Sequence, residues 1–400
     1  MIDKRGEKME SFKVSSRLNS LPPYIFAKLE QMKAEYMEKH SDVIDLGVGD
    51  PDFPTQSNIV EAMKTQLENP ENHRYPSFKG ELELRKKISW WYKTNYNVDL
   101  DPEKEILILI GSKEGIAHIP LAFVNEGDYA LVPDPGYPAY LTSILLAGGK
   151  PYTMPLRKEN KFLPDLNDIP EDILGKTRLM YLNYPNNPTS ALANSKLFSE
   201  IVSIAEKHSI VVCHDFAYSQ IVFDNEKPVS FLSVPGAKNI GVEFHSFSKT
   251  YAMTGWRIGF VAGNSQVIAA LSKLKSCIDS GVFKAVQYAC IEGLTGQRKD
   301  LDRMLNEYSK RRDILAAGLK DLGWEFDIPK ATYYFWVRIP GRFKMKSIEF
   351  SELLLKEKGL IVTPGIGFGQ NGEGYLRISI NLSIPKIEEA IYRLRNYDSI

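Results

Sequence analysis

The clearest pattern in the chain lies between about residues 104 and 262, where short apolar runs alternate with longer amphipathic or polar segments. Several of the runs have strand-like composition: ILILI, YALVP, RLMYLN, IVVCHD, IGVEFHS and RIGFVAG. Such alternation predicts βαβ units and a mainly parallel sheet. The run from Ile106 to Ile110 is apolar at consecutive positions, which is typical of strands covered by helices on both faces. We therefore predict an α/β fold whose large domain is layered α/β/α.

After residue 295 the pattern changes. A charged helix is predicted from Lys299 to Leu322, followed by the strand-like runs WEFDI, TYYFWVRI and GYLRISI with helices near residues 347–358 and 385–397. This mixture predicts a smaller α+β domain. The first fifty residues hold a helical stretch and then VIDLGVGDPDFPT, which we expect to rejoin the C-terminal part. The predicted domains are an N-terminal arm with part of the small domain (1–50), a large domain (51–295) and a small C-terminal domain (296–400).

Composition narrows the class of protein. Lys+Arg and Asp+Glu number 50 each, and this zero net charge argues against a nucleic-acid partner. The cysteines form no CxxC pair, and the separations of His118, His214 and His245 do not form a metal-ligand motif. No apolar run has the length of a membrane span, and the N-terminus lacks the apolar core of a signal peptide. We therefore expect a cytoplasmic protein without a metal site and without nucleic-acid or membrane partners.

Candidate chemistry is concentrated in HSFSKTYAMTGWRIGF, residues 245–260, where Lys249 follows a predicted strand. A lysine in a short SxSK sequence is usually a solvated loop residue, because lysine is common on surfaces. The flanking residues favour another interpretation. The segment resembles the cofactor-lysine signature of the class I/II aminotransferases, SxSKxxxxxGxRxG. The matching residues are Ser246, Ser248, Lys249, Gly255, Arg257 and Gly259.

This resemblance implies the type I fold of pyridoxal-phosphate-dependent transferases, with pyridoxal 5'-phosphate as cofactor. Lys249 then carries the cofactor in Schiff-base linkage and, once an amino acid displaces it, moves protons. Arg257, Ser246 and Ser248 are expected to bind the cofactor phosphate, since a guanidinium fork and hydroxyl groups match its oxygen atoms. The implied reaction is a ping-pong transfer of an amino group between an amino acid and a 2-oxo acid.

Two further segments match the family around the cofactor ring. In IVVCHDFAYSQIVFD, Asp215 stands where the family's aspartate pairs with the protonated pyridine nitrogen, and Tyr218 where a tyrosine hydrogen-bonds the phenolic oxygen. In LNYPNNPTSALAN, Asn187 aligns with an asparagine that contacts the same oxygen beside the substrate. Ser190 stands where the family usually has glycine. Without the resemblance, Asp215 is a strand-end turn former and the second segment a Pro/Asn turn.

A third segment supplies a candidate phosphate site. In ILILIGSKEGIAHI, a predicted strand turns through Gly111 into a helix, whose free backbone N–H groups attract an anion. The resemblance makes this turn the phosphate cup, formed with Ser112 and Lys113. Tyr137, in DPGYPAY, stands where the family stacks an aromatic ring on the cofactor. Glycine-to-helix turns and turn aromatics are common in α/β proteins, so the companion motifs carry this interpretation.

The last matching positions concern the substrate and the assembly. Arg377, in YLRISI, resembles the arginine that binds the substrate α-carboxylate with two hydrogen bonds. Gly47 and Gly49, in LGVGDPDFP, resemble the loop that lies over the substrate, although glycine and proline by themselves indicate only a turn. Tyr75, in RYPSFKGELELR, matches the tyrosine that reaches the cofactor phosphate of the partner subunit. A homodimer with shared active sites is therefore expected.

The substrate is the least defined part of the prediction. The segment SCIDSGVFKAVQYAC lacks the arginine with which aspartate-type enzymes often bind a side-chain carboxylate, although Lys284 is a candidate for a distal carboxylate. The phrases DSGVFKAVQ, RYPSFKGELELR and CHDFAYSQIVFD resemble the LL-diaminopimelate branch of the family, which implies LL-diaminopimelate and 2-oxoglutarate in lysine biosynthesis. An alanine or broad-specificity aminotransferase, a carbon–sulfur lyase on the same scaffold and a non-catalytic binding module remain alternatives.

Overall fold

The computed structural model describes residues 12–23, 25–40, 42–296 and 298–395 of the chain. The strands are β1 (Ile44–Asp45), β2 (Ile106–Leu109), β3 (Tyr129–Asp134), β4 (Lys150–Pro155), β5 (Thr177–Asn183), β6 (Val211–Asp215), β7 (Gly241–Ser246), β8 (Gly259–Gly263), β9 (Glu325–Phe326), β10 (Tyr334–Arg338), β11 (Leu360–Ile361), β12 (Thr363–Pro364) and β13 (Tyr375–Ser379).

The α-helices are α1 (Ser16–Asn19), α2 (Ile25–Met37), α3 (Ser57–Leu67), α4 (Leu82–Tyr96), α5 (Ser112–Phe123), α6 (Pro138–Ala147), α7 (Glu171–Leu174), α8 (Ser195–His208), α9 (Ala237–Ile240), α10 (Phe247–Thr250), α11 (Ser265–Lys275), α12 (Lys284–Thr295), α13 (Lys299–Asp321), α14 (Ser347–Lys358) and α15 (Ile384–Arg395). Short 3-10 helices cover Pro70–His73, Lys158–Asn160, Leu166–Asp168, Phe231–Ser233, Thr254–Trp256, Gly341–Phe343, Gly365–Phe368 and Gln370–Gly372.

The larger sheet has seven strands in the order β2-β8-β7-β6-β5-β3-β4. Strand β8 runs antiparallel to its neighbours β2 and β7, and the other neighbouring pairs are parallel, so the sheet is mainly parallel as the sequence predicts. Strand β4 was not among the predicted runs. It lies at the edge of the sheet and five of its six residues are partly or fully exposed, so it lacks the continuous apolar run of the inner strands.

Strand residues alternate between two apolar clusters, one on each face of this sheet. In β2, Ile106 and Ile108 join the cluster that packs against α3, α4, α8 and α12. Their neighbours Leu107 and Leu109 join the opposite cluster, which contains α5, α6 and α11. Consecutive positions in β2 are therefore apolar because both faces are covered by helices. The predicted α/β class with an α/β/α layering is confirmed.

A second body of structure is built from the C-terminal elements. Strands β12, β13, β10 and β9 form an antiparallel sheet, and α13, α14 and α15 pack with it around a separate apolar cluster. Strand β1 pairs in parallel with β11, which places Ile44 and Leu46 in the same cluster. The domain boundaries at residues 50 and 295 stay a prediction. In the described parts of the chain, none of the helices combines the length and the apolar character that crossing a bilayer requires.

Candidate active site

A cavity of about 460 Å³ lies where the carboxyl ends of the inner strands of the large sheet face the C-terminal body. Clefts at such strand ends are the usual ligand sites of open α/β sheets. The structure brings nearly all the predicted site residues to its wall. Those residues are Gly47, Ser112, Lys113, Tyr137, Asn187, Asp215, Tyr218, Ser246, Ser248, Lys249, Arg257 and Arg377.

Lys249 projects into the cavity from the short helix α10. The Ser246 side chain caps this helix by accepting a hydrogen bond of 3.2 Å from the Ser248 N–H. The Lys249 Nζ donates to the Gly49 carbonyl at 2.8 Å and lies 3.8 Å from the Asp50 carboxylate. The lysine amine therefore lies inside the cavity with backbone and carboxylate acceptors, in reach of a bound ligand.

The predicted phosphate cup is a close meeting of the β2–α5 turn with Arg257. Gly111 has φ +77°, and a Cβ atom there would lie 2.5 Å from an Arg257 guanidinium nitrogen. A Cβ atom at Gly259 would lie 2.7 Å from the Ser112 backbone nitrogen. Glycine at position 259 thus allows a close backbone approach, and glycine at position 111 leaves room for the Arg257 guanidinium. The helix N-terminus and the guanidinium together form a site that suits a phosphate group.

The Asp215 carboxylate lies at the end of β6 and is almost completely buried. It accepts a hydrogen bond of 2.8 Å from the Tyr140 hydroxyl and one of 3.2 Å from the Ala217 N–H. Burial raises the pKa of the Asp215 carboxyl, and the bond from Tyr140 opposes part of that rise. A buried carboxylate of this kind is stabilised by a cationic partner, and a protonated pyridine nitrogen is one.

Tyr218 lies across the cavity in contact with Tyr334 of the C-terminal sheet. The two hydroxyl oxygens are 3.0 Å apart. Burial, with a contribution from the neighbouring Tyr334, raises the pKa of the Tyr218 hydroxyl well above its ordinary value. Tyr218 therefore stays a neutral hydrogen-bond donor over the range of pH in which proteins usually work.

Arg377 is buried on β13 and is held in place by groups from three separate segments. Its guanidinium donates to the Asn187 side-chain oxygen at 3.1 Å, to the Gly47 carbonyl at 2.9 Å and to the Thr363 hydroxyl at 3.4 Å. The Tyr334 ring lies 4.1 Å from the guanidinium carbon. The arrangement fixes a planar, permanently charged donor at the cavity wall, which suits a carboxylate.

Tyr137 and Lys113 lie together on the wall of the cavity. The Lys113 Nζ is 5.8 Å from the centre of the Tyr137 ring. Tyr137 also meets the Tyr140 ring edge-on, at 5.7 Å between ring centres. The ring thus lies beside the first turn of α5, and its stacking on a cofactor stays a prediction.

The hydrogen bonds of Ser190 account for a serine at the position where the family usually has glycine. Its φ is +62°, a left-handed conformation that favours glycine. The serine hydroxyl donates to the Tyr334 carbonyl at 2.7 Å and lies 2.6 Å from the Thr332 hydroxyl. These buried bonds offset the unfavourable backbone conformation and tie the loop to the C-terminal sheet.

Two predicted residues lie outside the cavity of their own chain. The Tyr75 side chain is 87% exposed and does not line the cavity. Its role toward a partner subunit stays a prediction. Lys284 lies at the start of α12, where its Nζ donates to the Glu71 carbonyl at 3.1 Å. Lys284 does not line this chain's cavity, and its role toward a distal carboxylate stays a prediction.

The cavity also contains residues that the sequence analysis missed. They are Leu29, Glu30, Lys33, Asp45, Val48, Asp50, Tyr140, Asn183, Ala217, Tyr334, Ile361 and Thr363. Tyr140 could have been suspected from the sequence, because it follows Tyr137 by three residues at the start of a helix, but this signal is weak. Lys33 and Asp45 gave no signal, because their meeting at 2.6 Å depends on how α2 packs beside β1.

The three histidines considered as metal ligands have other partners. His118 pairs with Glu114 at 3.2 Å. His214 lies 2.9 Å from the buried Glu243 carboxylate, and His245 lies 2.7 Å from the Tyr92 hydroxyl, which itself contacts Glu243. Among the residues that the structure describes, no group of three or more His, Cys, Asp or Glu side chains is arranged to hold a metal ion.

Comparisons with known proteins agree with this geometry. Residues 41–394 match the model of the family described as aminotransferase class I and II. An LL-diaminopimelate aminotransferase of Halothermothrix orenii is 50% identical over 384 residues, covering 96% of this chain and 98% of the relative.

Solved structures give the same result. A substrate-bound BacF structure from Bacillus subtilis is 38% identical with a TM-score of 0.93, covering 97% of this chain and 98% of its own. An aspartate aminotransferase of Thermotoga maritima is 28% identical with a TM-score of 0.90, covering 97% of this chain and 100% of its own. The family predicted from the motifs is confirmed: the chain belongs to the class I and II aminotransferases.

Proposed function

We propose that this enzyme is a pyridoxal-phosphate-dependent aminotransferase that moves an amino group between LL-diaminopimelate and 2-oxoglutarate. The observation that carries the proposal is the meeting of Lys249, Asp215 and Arg377 on the wall of one cavity. The choice of substrate is supported by the relatives named as LL-diaminopimelate aminotransferases, which reach 50% identity over nearly the whole chain.

The residues of the cavity fit the cofactor. The chemistry that pyridoxal phosphate supplies when bound is an aldehyde that exchanges between amines and an electron-poor ring that withdraws electrons from the amino-acid α-carbon. Ser112, Lys113, Ser246, Ser248 and Arg257 would hold the phosphate. That assignment is supported by the cradle at Gly111, which a Cβ atom would fill.

Other residues would hold the ring. Asp215, at the buried end of β6, is placed to pair with a protonated ring nitrogen, and this pairing satisfies a carboxylate that burial otherwise disfavours. Tyr218 and Asn187 would donate hydrogen bonds to the phenolic oxygen. Tyr137 would cover one face of the ring.

Lys249 and Arg377 would act on the amino acid. Arg377 would bind the α-carboxylate by a two-pronged hydrogen bond, with Asn187 and Gly47 holding the guanidinium in its plane. With the α-carboxylate fixed, Lys249 would take the proton from the α-carbon and hold it for the transfer. A positioned amine of this kind contributes general acid–base catalysis.

The assembly and compartment are also proposed. Tyr75 is exposed on its own chain, and we propose that it reaches the cofactor phosphate of a partner subunit in a homodimer. The three cysteines Cys213, Cys277 and Cys290 are free thiols, which supports a cytoplasmic enzyme.

The test is the absorption spectrum of the purified protein with pyridoxal phosphate, before and after adding LL-diaminopimelate, glutamate or alanine. A visible band that is converted by diaminopimelate and glutamate, and hardly by alanine, is the expected result. Conversion by alanine alone would replace the proposed substrate with a broad-specificity activity. Release of pyruvate and ammonia from a single amino acid would indicate a lyase, and a protein that binds no pyridoxal phosphate would overturn the proposal.

A further inference from the structure

Three charged side chains that the mechanism above does not use lie on the outer wall of the cavity. Lys33 and Glu30 come from α2, and Asp45 comes from β1. The Lys33 Nζ lies 2.6 Å from the Asp45 carboxylate, and the two side chains are 31% and 18% exposed. Glu30 lies one turn before Lys33 on the same helix and is exposed. A cation and two anions are thus gathered at the mouth of the cavity.

Asp45 lies close to Arg377, because Gly47 is hydrogen-bonded to both side chains. The Gly47 N–H donates to the Asp45 carboxylate at 2.9 Å, and the Gly47 carbonyl accepts from Arg377 at 2.9 Å. A single residue spans at most about 3.6 Å, so the Asp45 carboxylate and the Arg377 guanidinium are no more than about 10 Å apart. The space around Gly47 is narrow, since a Cβ atom there would lie 3.2 Å from the Thr363 hydroxyl and 3.3 Å from Asp45.

This distance matches a seven-carbon diamino dicarboxylic acid. Each carbon–carbon bond of about 1.5 Å advances an extended chain by about 1.25 Å, so the far amino and carboxyl groups lie about 6–8 Å from the α-carboxylate. With the α-carboxylate on Arg377, a substrate that extends toward β1 would have its distal groups within reach of Lys33 and Asp45. An ammonium group there requires an anion, and a carboxylate requires a cation.

We propose that Lys33 and Asp45, together with Glu30, recognise the distal ammonium and carboxylate groups of the substrate. Lys33 binds the distal carboxylate, and Asp45 and Glu30 bind the distal ammonium. This inference rests on the proposed function and adds specificity-determining residues to it. Glutamate, the other amino acid of the reaction, has no distal ammonium, so the two acidic residues serve only diaminopimelate.

The resting pair between Lys33 and Asp45 is compatible with this role. Both side chains are partly exposed, and exposed ion pairs are weak because water and salt screen them. The substrate offers each partner an opposite charge of its own, so no charge is left uncompensated when the substrate separates them. The long, flexible stem of Lys33 allows this exchange without movement of the backbone.

The experiment compares three amino acids that differ only at the distal end. LL-diaminopimelate has both distal groups, L-2-aminopimelate lacks the distal ammonium and L-lysine lacks the distal carboxylate. The variants are Lys33→Met and the double substitution Asp45→Asn with Glu30→Gln. Asparagine keeps an oxygen that accepts the Gly47 N–H, so the loop over Arg377 is preserved. Lys28→Met is the matched control, because Lys28 lies on the same helix but pairs with Glu352 at 2.7 Å and does not line the cavity.

The readout is kcat and KM for each amino acid in the holoenzyme. Lys33→Met is expected to lower kcat/KM about 10-fold to 100-fold for diaminopimelate and aminopimelate, and to leave lysine nearly unchanged. The double substitution is expected to lower kcat/KM for diaminopimelate and for the substrate lysine, and to leave kcat/KM for aminopimelate nearly unchanged. In each case the change lies mainly in KM, because the distal groups are remote from the reacting atoms.

Several results would overturn the inference. Equal losses for all three amino acids would show that the variants disturb the fold and not recognition, and unchanged values would show that the charges do not meet the substrate. A loss of kcat/KM in Lys28→Met as large as in Lys33→Met would also show that the loss does not come from contact with the substrate. If the unmodified enzyme does not convert diaminopimelate at all, the proposed function fails; if it does and the variants behave like it, only this inference fails.

Discussion

The two sides of the active-site cavity are constructed in different ways. On the cofactor side, Asp215, Ser246 and Gly111 lie at or directly after strands of one sheet, whose registers fix their spacing. On the substrate side, Arg377 and Lys33 are held by contacts between separate segments, and the bond from Arg377 to Gly47 joins residues 330 positions apart.

The difference shows which part of the site tolerates change. On the cofactor side, a larger residue at Gly259 would meet backbone atoms, and one at Gly111 would meet the Arg257 side chain. The partly exposed charges at the mouth can be exchanged without opening a cavity in the core or leaving a buried charge unpaired. The fold therefore fixes the cofactor chemistry more strictly than it fixes the choice of amino acid.

The largest expected effect comes from removing Lys249, the side chain that we propose acts on both cofactor and substrate. Lys249→Ala should lower kcat by at least about 10³-fold, because the amine that moves the α-proton is lost. The melting temperature should change little, since the side chain packs in the cavity and not in the core. Lys273→Ala, at an exposed lysine of α11, is the matched control. Full transaminase activity in Lys249→Ala would refute the assignment of this lysine.

A smaller effect is expected from the buried polar network around His245, and it concerns the pH dependence of protein stability. His245 lies directly before Ser246, with Tyr92 and Glu243 beside it, and burial lowers the pKa of the His245 imidazole from 6.5 to about 4. At a pH between 4 and 6.5, the His245 imidazole binds a proton more readily in the unfolded chain than in the folded protein. The contribution of the neutral, buried His245 to the free energy of unfolding is therefore complete above about pH 6.5 and is lost as the pH falls toward 4.

Urea denaturation between about pH 4.5 and 7.5 measures this dependence. The free energy of unfolding should fall by up to about 3 kcal/mol with decreasing pH, on top of the dependence due to surface carboxylates. In His245→Gln the part of the slope that belongs to this imidazole should disappear. Identical slopes in the two proteins would mean that the histidine does not couple folding to pH.

The smallest effect is expected at Gly111, where comparison with Gly127 distinguishes the cost of the backbone conformation from the cost of the close contact. Gly111 and Gly127 both have positive φ, at +77° and +89°, but of the two only Gly111 has a neighbour within 4 Å of the place that a Cβ atom would occupy. Alanine at either position should cost about 1 kcal/mol of stability. Only Gly111→Ala should also weaken pyridoxal phosphate binding, by about 10-fold, because Arg257 must move. Cofactor titration of both variants decides this, and equal affinities would show that the cup does not depend on this contact.

The sequence predicted most of the cofactor side because its residues follow one another along the chain. Asp215 and Lys249 each come at the end of an apolar run, so the predicted strands already placed them at one edge of the sheet. The sequence did not predict the pairing of Tyr140 with Asp215 or of Lys33 with Asp45. Such contacts depend on the angle at which helices pack on strands, and no periodic pattern records that angle.

The left-handed backbone of Ser190 illustrates a second limit. The residue type argues against φ +62°, and only the buried bonds to Tyr334 and Thr332 make that conformation stable. Edge strand β4 was missed for a related reason, since its partial exposure removes the apolar pattern. Local sequence rules fail where a distant partner supplies the stabilising contact.

The pairing of β1 with β11 has a consequence for how the enzyme is made. Ile44 meets Leu360, and the loop that follows β1 meets Arg377 across 330 residues of chain. Ribosomes deliver the N-terminal segment first, and contacts between distant segments form late because closing such a long loop costs entropy. The corner that contains Arg377 is therefore completed only when nearly the whole chain has been synthesised. A truncated product can contain every cofactor motif and still lack the proposed carboxylate site.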